Sequence, residues 1–289
     1  MGADIYRDFP AARDVIDECN DIVGGGLREL MFDGPQKQLT STINAQPAIL
    51  CHSIAILRVL EQNFDFNINS ALVATGALKL EDAMRLVRLR GQSMQSSVTN
   101  KETIMRALVV TGDHLEDIEQ TMQRIQRSLP EGEVAEIANI NSRTQIVLSG
   151  TVKGVEYAAS IVHTKGFAGR SLPLPVSAPF HCSLMAPAAE VMGPALEAVQ
   201  FSQPAIDVVS NVTGRPFKSA AEIGPLLKRQ IVETVQWERS LRYAKEDFVF
   251  DWIVVGPSRV LSNLLRKEFP HDVIRPLSTS SELSAWRPQ

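Results

Sequence analysis

A few residues have types and placements that could support chemistry. His181 lies in Val176-Ser177-Ala178-Pro179-Phe180-His181-Cys182, between a strand-like and a helix-like stretch. Sites in open α/β sheets form at that edge, outside the strand C-termini. His181 is therefore a candidate base, and the plainer alternative is a loop histidine that caps the next helix. Arg90 falls on one helix face with Ala83, Val87 and Met94, a face that is otherwise apolar. A guanidinium turned inward needs an anion. That anion is either a carboxylate-bearing ligand, which the Arg fork pairs with bidentately, or an internal Asp or Glu; the remaining alternative is an Arg that snorkels to solvent. Asn139 and Asn141 precede a strand-like run and serve as turn residues or as ligand-holding amides. Cys51-His52-Ser53 places a histidine beside a serine, but inside a helical stretch without flanking glycines, so Ser53 reads as a packing residue. A nucleophile elbow needs those glycines because its turn is sharp. Neither Gly-x-Ser-x-Gly nor Gly-x-Cys-x-Gly occurs in the chain. Cys182 adjoins His181, a poor geometry for a nucleophile and its base. Gly24-Gly25-Gly26 lacks the strand-to-helix context of a phosphate loop and reads as a helix end.

The elements that must position these residues follow from periodicity. Up to residue 66 the chain reads as helix and loop, with a strong apolar helix over 47–60 and another helix over 70–95. Residues 107–110 read as a strand, and Asp113 as the N-cap of a helix whose apolar face is Leu115, Ile118, Met122, Ile125 and Leu129. Strands over 134–140 and 145–148, a helix on Val152, Val155, Ala159 and Val162, and a strand over 171–176, whose two prolines mark an edge or a strand end, complete a βαββαβ order. That order is the ferredoxin-like unit, placed at 103–172. Beyond it come helices over 184–199, 226–244 and 260–266 and strands over 206–210 and 250–255. The alternation predicts a mostly parallel sheet covered on both faces, in a large α/β domain built from 1–102 and 173–289.

The chain has 289 residues, 44% hydrophobic and 21% charged, an ordinary globular composition. A net charge of -4 without a Lys/Arg run argues against nucleic acid. Three scattered cysteines argue against a disulfide framework and fit a reducing compartment. No apolar run is expected to span a membrane, and no targeting peptide is visible at the start. No His/Cys/Asp cluster has ligand spacing, so no metal is expected.

Several segments in order resemble the malonyl-CoA:acyl-carrier-protein transacylase family, more closely its fungal mitochondrial branch. They are Thr42-Ile43-Asn44-Ala45-Gln46-Pro47-Ala48, Ala71-Leu72-Val73-Ala74-Thr75-Gly76-Ala77-Leu78, Arg85-Leu86-Val87-Arg88-Leu89-Arg90-Gly91 and Asn139-Ile140-Asn141-Ser142. Leu174-Pro175-Val176-Ser177-Ala178-Pro179-Phe180-His181, Val235-Gln236-Trp237 and Gly256-Pro257 before Val260-Leu261 follow. The resemblance implies a hydrolase-like parallel core with an inserted ferredoxin-like subdomain. It also implies a ping-pong transfer of malonyl from coenzyme A to acyl carrier protein through a serine acyl-enzyme. His181 would be the catalytic base. Arg90 would grip the malonyl carboxylate, and Asn139, Asn141, Met94 and Phe180 would line the substrate site. The thioester is substrate, and no cofactor is implied. A monomer in the mitochondrial matrix is the implied setting, with the cytoplasm as alternative.

Two departures from the family pattern are large. A strand and the Gly-His-Ser-x-Gly elbow should precede Ala71, yet Phe66-Asn67-Ile68-Asn69 runs straight into Ser70. A Gly-Gln-Gly loop that helps form the oxyanion hole should precede the point matched by Met1-Gly2-Ala3. The core is thus expected to lack strands and the nucleophile, between Ile68 and Ala71, and the chain as written to be poorly stable and inactive. Smaller departures are Val254 in place of Glu and Ser258 in place of Gly. The competing readings are a nucleophile-less relative that docks coenzyme A or carrier protein, and an unrelated hydrolase-type esterase.

Overall fold

The computed structural model describes residues 1–64, 72–97, 102–176 and 178–287. The chain divides into two compact units. One comprises Met1–Gln92, Val199–Val208 and Phe248–Gln289; the other comprises Ser93–Ala198 and Val209–Asp247.

The first unit opens with helices α1 (Ala3–Asp8), α2 (Pro10–Ile22), α3 (Leu27–Asp33), α4 (Gln36–Leu39) and α5 (Thr42–Phe64), followed by α6 (Leu80–Ser96), whose last turn belongs to the second unit. Proline at the first position starts α2, where its missing N–H is no loss. Ala12, Val15, Ile16 and Cys19 then bury one face against Cys51, Ala55 and Leu60 of α5. The Gly24–Gly26 run ends α2 as expected, all three residues having positive φ. Two expectations change here. Over Thr42–Gln62, α5 is long and apolar enough to cross a membrane, although its apolar side chains are spent on the core of this unit. The helix expected over 70–95 begins only at Leu80: residues 72–76 form a turn that Gly76 closes with φ 70°. Glu81 and Asp82 thus occupy the first turn of α6, where the helix dipole favours acids.

The second unit contains β1 (Thr103–Val110), α7 (Leu115–Ser128), β2 (Ala135–Ser142), β3 (Gln145–Thr151), α8 (Val152–Thr164) and β4 (Ala168–Pro173). The four strands form an antiparallel sheet of order β2-β3-β1-β4, with β4 at an edge. Leu115, Ile118, Met122 and Ile125 of α7 and Val155, Ala158 and Val162 of α8 bury against it. The α7 cap shifts by one residue: His114 occupies the cap position, and Asp113 instead pairs with Arg143. A short 3-10 turn (Ser183–Met185) leads into α9 (Ala186–Glu197). Next come the two-residue strands β5 (Val209–Ser210) and β6 (Arg215–Pro216), then α10 (Ala220–Arg229) and α11 (Trp237–Glu246). The strand expected over 206–210 shrinks to β5, and the helix expected over 226–244 is broken. The break has a cause, since Val235 bonds along β2 and the Gln236 N–H donates to Asn211 O at 2.7 Å. These contacts extend the unit past the 103–172 expected of a small subdomain.

The rest of the first unit is β7 (Asp251–Val255), α12 (Val260–Glu268), β8 (Val273–Leu277) and α13 (Ser280–Ala285). Periodicity alone does not announce the last two. Strands β7 and β8 pair in parallel. Among the described residues parallel pairing is confined to them and to a single Asn139–Val235 bridge, so the broad parallel sheet expected from the alternation is not formed there.

Candidate functional site

His181 sits in a backbone conformation that side chains avoid. Its φ is 56°, the left-handed region, which costs of order 1–3 kcal/mol and persists only where the surroundings fix it. Three contacts fix it. The Phe180 N–H donates to Ala178 O at 3.0 Å, and the Cys182 thiol donates to Pro179 O at 3.1 Å. The imidazole Nδ1 lies 2.7 Å from the main-chain carbonyl of Gln230, at the end of α10. A carbonyl can only accept, so Nδ1 carries the proton in this bond. In the neutral ring Nε2 then holds the lone pair, the form a general base needs.

The same unit brings two further predicted residues together. Phe180 packs on Met105, Ala138 and Val147. Val147 is the register partner of Asn139 on β2. Among the described residues nothing hydrogen-bonds the Asn139 amide, which leaves it able to meet a ligand. Asn141 differs: its amide donates to Gln145 Oε1 at 3.2 Å, a local strand contact at a register shift.

Arg90 belongs to the first unit. Its neighbour Gly91 lets α6 approach the start of α5 closely: a Cβ there would lie 2.7 Å from Thr42 O and 2.8 Å from Ile43 Cα. That approach sets Arg90 Nη1 2.7 Å from Gln46 Oε1. Arg88 makes a looser contact, 3.4 Å to Asn44 Oδ1. No carboxylate among the described residues pairs with Arg90, and burial pulls its pKa down to about 10. An inward cation with only a neutral amide partner is poised to take an anion.

No protein-family model matches the chain. Curated relatives do. A malonyl CoA-acyl carrier protein transacylase of Bacillus subtilis is 37% identical over 276 residues, covering 92% of this chain and 85% of the relative. This chain belongs to the malonyl CoA-acyl carrier protein transacylase family. Solved structures agree. The acyl-carrier-protein S-malonyltransferase of Bartonella henselae superposes with a TM-score of 0.89 at 34% identity, covering 99% of this chain and 93% of that one. A malonyl-transacylase solved in complex with its type II polyketide acyl carrier protein gives 0.90 at 31% identity, covering 99% and 93%.

Other residues singled out in this transacylase family member have plainer settings. Met94, one turn after Arg90 on α6, is fully buried. Cys182 is buried too, and burial pushes its thiol up to about 11, so it is no nucleophile for His181. Contact with the Cys19 thiol, and then burial, pushes Cys51 well above the usual thiol range. His52 is buried with its Nδ1 unpaired, and burial holds it down at about 4. The Ser53 hydroxyl lies against Gly256, within α5 as a packing residue. The expected loss of the nucleophile between Ile68 and Ala71 falls outside the described residues. Sequence reasoning missed Gln46 and Gln230 as partners of Arg90 and His181. Each lies more than forty residues from its partner, and no local spacing reports that.

Proposed function

We propose that this scaffold serves malonyl transfer from coenzyme A to an acyl carrier protein. Family membership supports the reaction class. The observation in the chain that carries the reading is Arg90, an inward guanidinium held by Gln46 without a carboxylate partner among the described residues. A malonyl carboxylate suits that guanidinium in charge and in fork geometry. In the family's cycle His181, with Nδ1 committed to Gln230, takes the proton of the attacking serine hydroxyl at Nε2 and gives it to the leaving coenzyme A thiolate; in the second half it takes the proton of the carrier-protein thiol and returns it to the leaving serine oxygen. The motif resemblance adds Asn139, Phe180, Asn141 and Met94 as substrate-binding candidates. The relative solved with its carrier protein supports the carrier protein as partner.

The polypeptide as written is inactive in this reading, because its sequence has no Gly-x-Ser-x-Gly from which an acyl-enzyme could form. A catalytically dead relative that docks coenzyme A or carrier protein is the second reading. Retention of both Arg90 and His181 favours a working lineage over it. We place the protein in the fungal mitochondrial branch, as a monomer of the matrix, on the motif resemblance.

The test combines calorimetry with malonyl-CoA and a mass assay for malonyl-carrier protein. The expected result is binding without transfer, and transfer once about a dozen residues carrying a strand and Gly-His-Ser-x-Gly are inserted after Ile68. Transfer by the unaltered chain removes the claim of inactivity. Absence of malonyl-CoA binding removes the substrate assignment.

A further inference from the structure

Two residues after His181 the loop is tied to the sheet. The Glu136 carboxylate, on β2, accepts from the Ser183 N–H at 3.0 Å through one oxygen and from the Ser183 hydroxyl at 2.6 Å through the other. The two residues are 47 positions apart in the chain, so this bidentate clasp ties the loop to the sheet. Ser183 opens the short turn that leads into α9, where Met185 N–H bonds Cys182 O at 3.0 Å. An acid at this point satisfies donors that begin a helical segment and have no partner within it.

We propose that Glu136 is a positioning residue: through Ser183 it holds His181 in its left-handed conformation and so keeps Nδ1 on the Gln230 carbonyl. On the near side of His181 the loop is held by one tight turn and one weak thiol bond. On the far side the Glu136 clasp provides two charge-assisted bonds, the strong kind. If it is cut, a residue that gains from leaving φ 56° can relax, and the ring leaves Gln230 with it. Both ring nitrogens then compete for the proton. Glu136 lies three residues before Asn139 on β2, so one strand would carry both the clasp and that amide. The inference deepens the reading of His181 as the base and rests on it for its meaning.

The experiment reads the ring itself. Long-range proton–nitrogen NMR on histidine-labelled protein reports the tautomer of each of the 5 histidines, and loss of one signal set in His181→Gln assigns His181. The parent is expected to show the Nδ1–H form. Glu136→Ala is expected to raise the ratio of Nε2–H to Nδ1–H about tenfold and to quicken carbethoxylation of His181. Ser183→Ala keeps the N–H bond and gives a smaller change. Adding it to Glu136→Ala gives no further change, because both act through one clasp. Glu136→Gln retains one acceptor and restores part of the parent ratio. If Glu136→Ala melts like the parent and leaves the ratio and reactivity unchanged, the proposal is overturned. If Glu136→Ala does not fold, Glu136→Gln and Ser183→Ala carry the decision, and an unchanged ratio in both overturns it. None of these readouts needs malonyl transfer, so failure of the transfer reading shows in malonyl-CoA binding instead.

Discussion

Arg90 donates to the side-chain carbonyl of Gln46 at 2.7 Å across a gap that exists because the next residue, Gly91, has no side chain. Two motifs separated by more than forty residues meet there backbone to backbone. Gly91→Ala gains helix propensity of about 1 kcal/mol. It also drives a methyl to 2.7 Å from the Thr42 carbonyl oxygen, which the helices must open to admit. Net destabilisation of about 1–3 kcal/mol is expected, together with weaker malonyl-CoA binding. Thermal melts and calorimetry on one variant check both. An unchanged melt would mean that the helices separate freely.

Arg90→Met is expected to separate stability from binding. Burial lowers the Arg90 pKa in the folded chain to about 10, below its unfolded value, so the charged form is disfavoured by folding. The penalty is present at every pH below the folded value and is relieved only as pH rises above it. Methionine removes it, with an expected gain of about 1–3 kcal/mol. The same change should abolish malonyl-CoA binding and leave acetyl-CoA binding unchanged, because acetyl has no carboxylate. Equal loss of both ligands would refute the anion-clamp role.

Gln230 offers a control by subtraction. Its contribution to His181 is a main-chain carbonyl, so the side chain should be dispensable. Gln230→Ala is expected to leave the His181 tautomer and its carbethoxylation rate within error of the parent. A changed tautomer would show that the amide side chain, and not the backbone, orients the ring.

His52 predicts an acid limit. Its pKa falls to about 4 on folding, mainly through burial, from an unfolded value near 6.5. Stability from the neutral ring is therefore complete above the unfolded value and is lost as pH drops toward the folded one. The loss over that window is about 3 kcal/mol. Urea titrations at several pH values should show a steeper acid decline in the parent than in His52→Leu. Parallel declines would place the acid sensitivity elsewhere.

The sequence was most legible where structure is local. The apolar faces of α7 and α8 and the order of β1 to β4 follow from spacing alone. The apolar neighbours of Arg90 on one helix face were readable from spacing as well. Non-local pairing was opaque. The break between α10 and α11 arises because Val235 is recruited by β2, nearly a hundred residues earlier in the chain. The turn before α6 escaped notice because Gly76 sits among good helix formers, and its positive φ is visible only in three dimensions. Strand β8 was missed because Pro276 interrupts a short apolar run, and a register with β7 is what makes it a strand. For the site, residue types were readable and partners were not: a backbone carbonyl such as Gln230 O leaves no signature in its own residue type.

The path of the chain has a consequence for anyone who would take the molecule apart. It changes unit at 92/93, 198/199, 208/209 and 247/248, so each unit is assembled from separated stretches. Neither can be excised as one continuous fragment. A protease that nicks any one of those crossings leaves both units covalently tethered through the others, and a fragment ending at the first crossing discards both β7 and β8. Dissection of this scaffold therefore calls for complementing fragments or permuted termini and not for simple truncation.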